Sequence, residues 1–140
     1  EFAQFHPRGS LGRQLLRVCT VMHTGDQVPR VDEVDSLAVA IKEMTAKGLG
    51  MTLVESADGK VTGIITDGDV RRIAQSGIDT KRSAGECMTP DPVLIASDAL
   101  APEALRLLEE SKITVLVVDD GDRRAIGVVH LHDLWRTQMV

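Results

Sequence analysis

The stretch GIITDGD at residues 63–69 decides the fold, because it recurs as GVVHLHD at residues 127–133. The shift of 64 residues also aligns the flanking sequence from Ala40 onward without a gap, so that MTLV at residues 51–54 matches VLVV at residues 115–118. Few residues are identical, but the glycines, apolar runs and acids keep their places. An internal repeat of this kind indicates one structural unit used twice.

Each copy predicts the element order β-α-β-β-α. Apolar residues at Leu37, Ala40, Ile41 and Met44 follow the spacing of a helix that buries one face, and residues 101–108 repeat this spacing. β-branched runs joined by a turn then predict two strands in each copy. A three-stranded unit of this size leaves one sheet face open, so two copies are expected to bury these faces against each other. The predicted fold class is α+β, with tandem repeats packed sheet to sheet as a pseudo-two-fold pair.

Composition excludes several functions. The chain has 140 residues, 43% of them hydrophobic, and a net charge of −5, which argues against a nucleic-acid-binding surface. It has no apolar run long enough for a membrane span and no visible signal peptide, so a cytoplasmic protein is expected. Cys19 and Cys87 are far apart and are expected to be two buried, reduced thiols.

The repeated signature, a glycine-containing strand that ends in Thr and is followed by Asp three positions later, resembles the CBS domain, which occurs in pairs. The resemblance covers about residues 18–140 and implies a first CBS domain at 18–76, a linker at 77–86 and a second CBS domain at 87–140. In this family the Thr hydroxyl and the following helix N-terminus typically meet a nucleotide phosphate, and the Asp takes the ribose hydroxyls. The resemblance therefore assigns these roles to Thr66 and Asp69, with Gly68 allowing close backbone approach.

A capping box explains Thr66 and Asp69 equally well without a ligand. In the second copy His130 replaces the threonine, while Asp133 is kept. Because histidine is a poor helix cap, this change favours a second pocket with altered or lost ligand preference. His130 and His132 could also bring two imidazoles together around a metal ion, but further ligands are not evident, and no metal site is predicted. His130 could instead contact phosphate in a pH-dependent way.

The resemblance extends to the N-terminal residues. HPRGSLGRQLL at residues 6–16, MHTGD at residues 22–26 and TDGD at residues 66–69 are similar in order and content to arabinose-5-phosphate isomerases, in which a sugar-isomerase (SIS) domain precedes a CBS pair. Residues 1–17 are then expected to be a remnant of the SIS domain and linker. His6 is implied as a catalytic residue of the intact enzyme, whereas these 140 residues alone are expected to be inert.

The resemblance implies that the CBS pair regulates an isomerase whose product is used to make Kdo for lipopolysaccharide. A nucleotide or nucleotide sugar such as CMP-Kdo is the expected effector, and no cofactor is required. The alternative is a ligand-independent module that dimerises and organises the isomerase tetramer. The residues assigned to the ligand are Met22, His23, Thr24, Gly50, Met51, Thr52, Thr66, Gly68, Asp69, Arg72, Met88, Thr89, Thr114, His130, His132 and Asp133.

Overall fold

The computed structural model describes residues 15–137. These residues form two compact units. The first-sheet unit consists of Gly25–Pro92 with Asp122–Arg124, and the second-sheet unit consists of the described residues before Gly25, Val93–Gly121 and the described residues from Ala125 onward.

The first-sheet unit contains a short 3-10 helix (Gly25–Gln27), a four-stranded sheet and three α-helices. Its elements are β1 (Arg30–Asp32), α2 (Leu37–Lys47), β2 (Met51–Glu55), β3 (Val61–Thr66), α3 (Asp67–Gln75), α4 (Ala84–Cys87) and β4 (Thr89–Pro90). The strand order is β1-β2-β3-β4, in which β1 and β2 are parallel and the other pairs antiparallel. Ser36 starts α2 by accepting a hydrogen bond from the Val39 N–H, and Gly48 ends it in the left-handed conformation. The buried aliphatic core includes Leu37, Val54 and Ile65.

A three-stranded sheet and three helices make up the second-sheet unit. Its elements are α1 (Val18–Val21), β5 (Leu94–Ala96), α5 (Ala101–Ser111), β6 (Val115–Asp119), β7 (Ala125–His130) and α6 (Leu131–Thr137). The strand order is β5-β6-β7, with β5 and β6 parallel and β6 and β7 antiparallel. The core includes Val18, Leu108, Leu116 and Leu134.

The two sheets repeat each other residue by residue. In β2 and β3, Met51 pairs with Thr66, and in β6 and β7, Val115 pairs with His130. The register shifts at the same place in both pairs, next to Glu55 in β2 and next to Asp119 in β6. The predicted α+β class, the β-α-β-β-α order and the 64-residue repeat are therefore confirmed.

The segment that leads into each repeat belongs to the unit of the other repeat. The first leading segment, residues 16–23, lies in the second-sheet unit, where the Val18 N–H donates to the Ala99 carbonyl at 2.8 Å. The second leading segment, residues 82–89, lies in the first-sheet unit, where the Ala84 N–H donates to the Asp35 carbonyl at 2.6 Å. The compact units thus cut across the boundaries that the sequence repeat suggests.

One glycine in each sheet makes room for these segments. A Cβ added at Gly63 would lie 2.8 Å from the Thr89 carbonyl oxygen, and one added at Gly127 would lie 2.7 Å from the His23 carbonyl oxygen. A methionine, Met88 or Met22, lies against each glycine. The glycine of the repeated signature therefore allows the leading segment to pack on the strand.

Several features differ from the sequence prediction or go beyond it. Gly77 follows the end of α3 with a φ of 88°, as predicted. The short strand β4 and helix α1 were not predicted, and α4 begins inside the segment predicted as a linker. Both cysteines are free thiols, but the prediction that both are buried is wrong, because Cys19 is exposed and Cys87 is half-buried. Among the described residues, no helix is both long and apolar enough to cross a bilayer.

Candidate ligand-binding site

The signature of the first repeat forms a capping box at the start of α3. The Thr66 hydroxyl accepts a hydrogen bond from the Asp69 N–H at 3.2 Å, and Asp69 Oδ2 accepts one from the Thr66 N–H at 2.9 Å. These bonds satisfy two of the donors that a helix N-terminus leaves unpaired. The structure therefore shows directly that part of this signature is structural.

The second carboxylate oxygen of Asp69 binds two further side chains. Oδ1 accepts a hydrogen bond from the Thr89 hydroxyl at 3.1 Å and forms an ion pair with Arg72. Asp69 is only 5% exposed, so this carboxylate joins the strand end, the helix and the second leading segment while almost withdrawn from water. Among the described residues, every fully buried side-chain nitrogen or oxygen has a hydrogen-bond partner. A diol that binds Asp69 must therefore displace one of these partners.

Two arginine side chains lie near Gly68, in the first turn of α3. The position that a Gly68 Cβ would take lies 3.7 Å from Arg72 Nη1 and 3.8 Å from Arg71 Nη2. Two guanidinium groups thus fold back toward the helix N-terminus, where the helix dipole also favours an anion. The absent side chain of Gly68 keeps this approach open.

The second repeat builds the same arrangement around Asp133 with different partners. Oδ2 accepts a hydrogen bond from the His130 N–H at 2.8 Å, while Oδ1 accepts one from His23 Nε2 at 2.9 Å and pairs with Arg136. Asp133 is also 5% exposed. His23 and His130, both predicted from sequence, are therefore brought to one carboxylate.

His130 caps its helix, contrary to our interpretation of histidine as a poor cap. Its Nδ1 accepts a hydrogen bond from the His132 N–H at 3.0 Å, so the ring proton lies on Nε2 when the imidazole is neutral. Partial burial, aided by electrostatic repulsion from the neighbouring His132, holds the pKa of His130 below its usual value. At neutral pH His130 therefore presents an uncharged N–H donor rather than a cation for phosphate.

Stability should fall on acidification because of His130. The unfolded chain takes up a proton near the ordinary pKa of 6.5, whereas the folded chain takes it up only at lower pH, so stability is lost as the pH falls below that value. His130→Asn keeps a good cap and removes this titration. We expect the urea midpoint of the variant to change less than that of the parent chain between about pH 7.5 and about pH 5.5. Equal losses in both chains would contradict the assignment.

His130 and His132 do not converge on a common point. Their rings are stacked, with centroids 4.8 Å apart and planes 7° from parallel, and Trp135 meets His132 edge-on at 5.0 Å. The described residues contain no group of three or more His, Cys, Asp or Glu side chains placed to hold a metal ion. The rings of His130, His132 and Trp135 thus form a row of contacts, the aromatic ladder, in the second signature, where the first signature has glycine and arginine.

The remaining predicted residues have different surroundings. Met51 and Thr52 are fully buried in β2. Gly50 and Thr114 are equivalent, since each carbonyl accepts the first N–H of the helix that follows the signature. Gly50 also borders an open cavity of about 260 Å³ between α2 and α3. Thr24 is exposed at the end of the first leading segment, and His6 lies outside the described residues.

Comparison with known proteins settles the family. The CBS domain model matches residues 18–76 and again residues 84–134. The chain belongs to the CBS domain family. This CBS pair is similar in structure to CBSX2 in complex with AMP, with a TM-score of 0.75 and 21% identity over 89% of this chain and 96% of that one. It is also similar to the CBS domain of a bacterial CNNM/CorC family Mg²⁺ transporter in complex with ATP, with a TM-score of 0.81 and 15% identity over 99% and 98% of the two chains.

Relatives of higher identity are isomerases. The CBS pair is 45% identical, over its whole length, to arabinose 5-phosphate isomerase KdsD of Escherichia coli O6:H1, of which it covers 43%. It is 46% identical, over 97% of its length, to the KdsD of Pseudomonas aeruginosa, of which it covers 42%. The chain thus spans about two-fifths of the length of these relatives.

Proposed function

We propose that this CBS pair is the regulatory part of an arabinose-5-phosphate isomerase and binds a nucleotide or nucleotide sugar at the first signature. The observation that carries the proposal is the convergence of Arg71 and Arg72 on Gly68 at the N-terminus of the nine-residue helix α3. The positive end of the helix dipole and two guanidinium groups together suit a phosphate. The AMP and ATP in the two similar CBS structures support the same ligand class.

Thr89 supports the proposed position of the ribose. Its hydroxyl donates to Asp69 Oδ1, and Thr89 is exposed. A ribose hydroxyl can replace this donor with one of the same kind, while the threonine turns to water, so the exchange leaves no buried group unpaired. Asp69 can therefore accept a diol without losing its role in the helix cap.

The second signature lacks the pair of arginines beside a glycine that the first signature has. His132 and Trp135 occupy the positions of Gly68 and Arg71, and both belong to the aromatic ladder. With His130 neutral at pH 7, Arg136 is the cation that stands at the position of Arg72. One principal phosphate site, at the first signature, follows from this difference.

A titration tests the proposal. Calorimetry with AMP, ATP, CMP and CMP-Kdo should give saturable binding of at least one of them, and Arg71→Gln should weaken it about tenfold, as expected for a lost charge-assisted bond. Arg136→Gln, which removes the arginine of the second signature that stands at the position of Arg72, is the control and should leave the affinity unchanged. Equal weakening by both variants would place the phosphate elsewhere.

The family relationship suggests the setting of this ligand. CMP-Kdo is the activated end product of the Kdo route, so it is the effector expected for feedback control. The enzyme is then cytoplasmic, and its His6 takes part in catalysis. The alternative is a ligand-independent module that forms dimers and organises a tetramer. Exposed Val34, Val39 and Ile78 in the first-sheet unit favour association. Dimers by light scattering, with no heat from any of the four ligands, would establish this alternative.

A further inference from the structure

The first leading segment, residues 16–23, is bound to the second-sheet unit along its length. The Ala101 N–H donates to the Leu16 carbonyl at 2.7 Å and so caps the start of α5, whose N-cap residue makes no side-chain cap bond. The N–H groups of Val18 and Cys19 donate to the carbonyls of Ala99 and Ser97 at 2.8 and 2.9 Å. Val18 is fully buried in the core of this unit.

His23 completes the attachment at the end of this segment. Its backbone N–H and carbonyl both bond to Val128 of β7, at 2.8 and 3.1 Å. Its Nε2 donates to Asp133 Oδ1 at 2.9 Å, where the side chains of the two residues are 23% and 4% exposed. The segment is thus held by backbone bonds at both ends and by a side-chain bond at the signature acid.

The equivalent contact in the first-sheet unit is of a different kind. There Thr89, whose small hydroxyl reaches Asp69, is exposed and can exchange its bond with water or a sugar hydroxyl. His23 cannot leave Asp133 as easily, because its imidazole is largely buried and would be uncovered by the departure, whereas Thr89 is already exposed. The two leading segments therefore differ at the residue that meets the signature acid.

We propose that the second signature is an anchor for the first leading segment rather than a ligand site, and that the His23–Asp133 bond fastens this segment. The assignment of different roles to the two signatures, ligand binding to the first and anchoring to the second, rests on the proposed function. The anchor itself needs no ligand.

Hydrogen exchange of the 140-residue chain tests the anchor. His23→Ala should speed the exchange of the Val18 and Cys19 amides about tenfold, because these protons exchange when the segment opens and the variant removes a bond that opposes opening. Thr89→Ala is the matched control, since it removes the equivalent bond to Asp69. It should leave the Val18 and Cys19 amides unchanged.

Two further measurements keep the result interpretable. His23→Gln retains a side-chain N–H donor and should restore most of the protection even if the alanine variant folds poorly. Unchanged exchange in His23→Ala, or equal acceleration in Thr89→Ala, would overturn the anchor. A chain that binds none of AMP, ATP, CMP and CMP-Kdo, yet shows the His23 effect, would refute the proposed function and leave the anchor standing.

Discussion

Asp69→Ala is expected to destabilise the chain by about 3 kcal/mol, before any ligand is considered. The carboxylate accepts hydrogen bonds from the Thr66 N–H, the Thr66 hydroxyl and the Thr89 hydroxyl, and pairs with Arg72. Alanine removes half of a capping box and leaves the Thr66 N–H and the Thr89 hydroxyl without their acceptor. Urea unfolding monitored by circular dichroism measures the loss.

The size of this effect changes how a binding experiment must be designed. Loss of ligand in Asp69→Ala would report partial unfolding as much as a lost contact. Asp69→Asn is the better probe, because the amide oxygen still accepts from the Thr66 N–H while the charge is lost. We expect it to cost about 1 kcal/mol and to weaken a ribose-containing ligand. An alanine variant as stable as the parent chain would contradict the role of Asp69 in the cap.

Features that repeat locally were predictable from sequence. The 64-residue shift predicted two copies of one β-α-β-β-α repeat, because strands and helices show themselves in the spacing of apolar residues that are close in sequence. The capping box at Thr66 was one of the two interpretations that the sequence allowed, and its spacing alone specifies the geometry. The end of α3 at Gly77 was predictable for the same reason.

Contacts between distant parts of the chain were not predictable. Nothing near Met22 or Met88 indicates that each leading segment lies on the sheet of the other repeat, since the pairing spans about a hundred residues for His23 and Asp133. His130 was misjudged because a histidine cap depends on ring orientation, which sequence does not specify. The sequence assigned His23 to the ligand, and nothing in its neighbourhood predicts the bond that the structure shows between His23 and Asp133.

The close packing of the two leading segments also makes Gly63 and Gly127 intolerant of substitution. Gly63→Ala is expected to destabilise the chain by about 3 kcal/mol, and Gly127→Ala by a similar amount, because crowding of a packed site costs about this much. The added methyl carbon at Gly63 would lie 2.8 Å from the Thr89 carbonyl oxygen and 2.8 Å from Met88 Cγ. The methionine can rotate, but the carbonyl moves only with the backbone of the leading segment. Urea midpoints of the two variants measure the effect.

Gly68→Ala separates crowding from the general cost of replacing a glycine. Its added Cβ would meet no atom nearer than 3.6 Å, and the residue lies within α3. Alanine is favoured over glycine in a helix by up to about 1 kcal/mol, so this variant should be as stable as the parent chain or more stable. Equal destabilisation by Gly63→Ala and Gly68→Ala would show that contact with the leading segment is not the cause. A loss confined to Gly63 and Gly127 means that the signature glycine makes room for the leading segment. Thr89 and His23 then reach their aspartates because the strand residue beneath each of them is a glycine, which has no side chain.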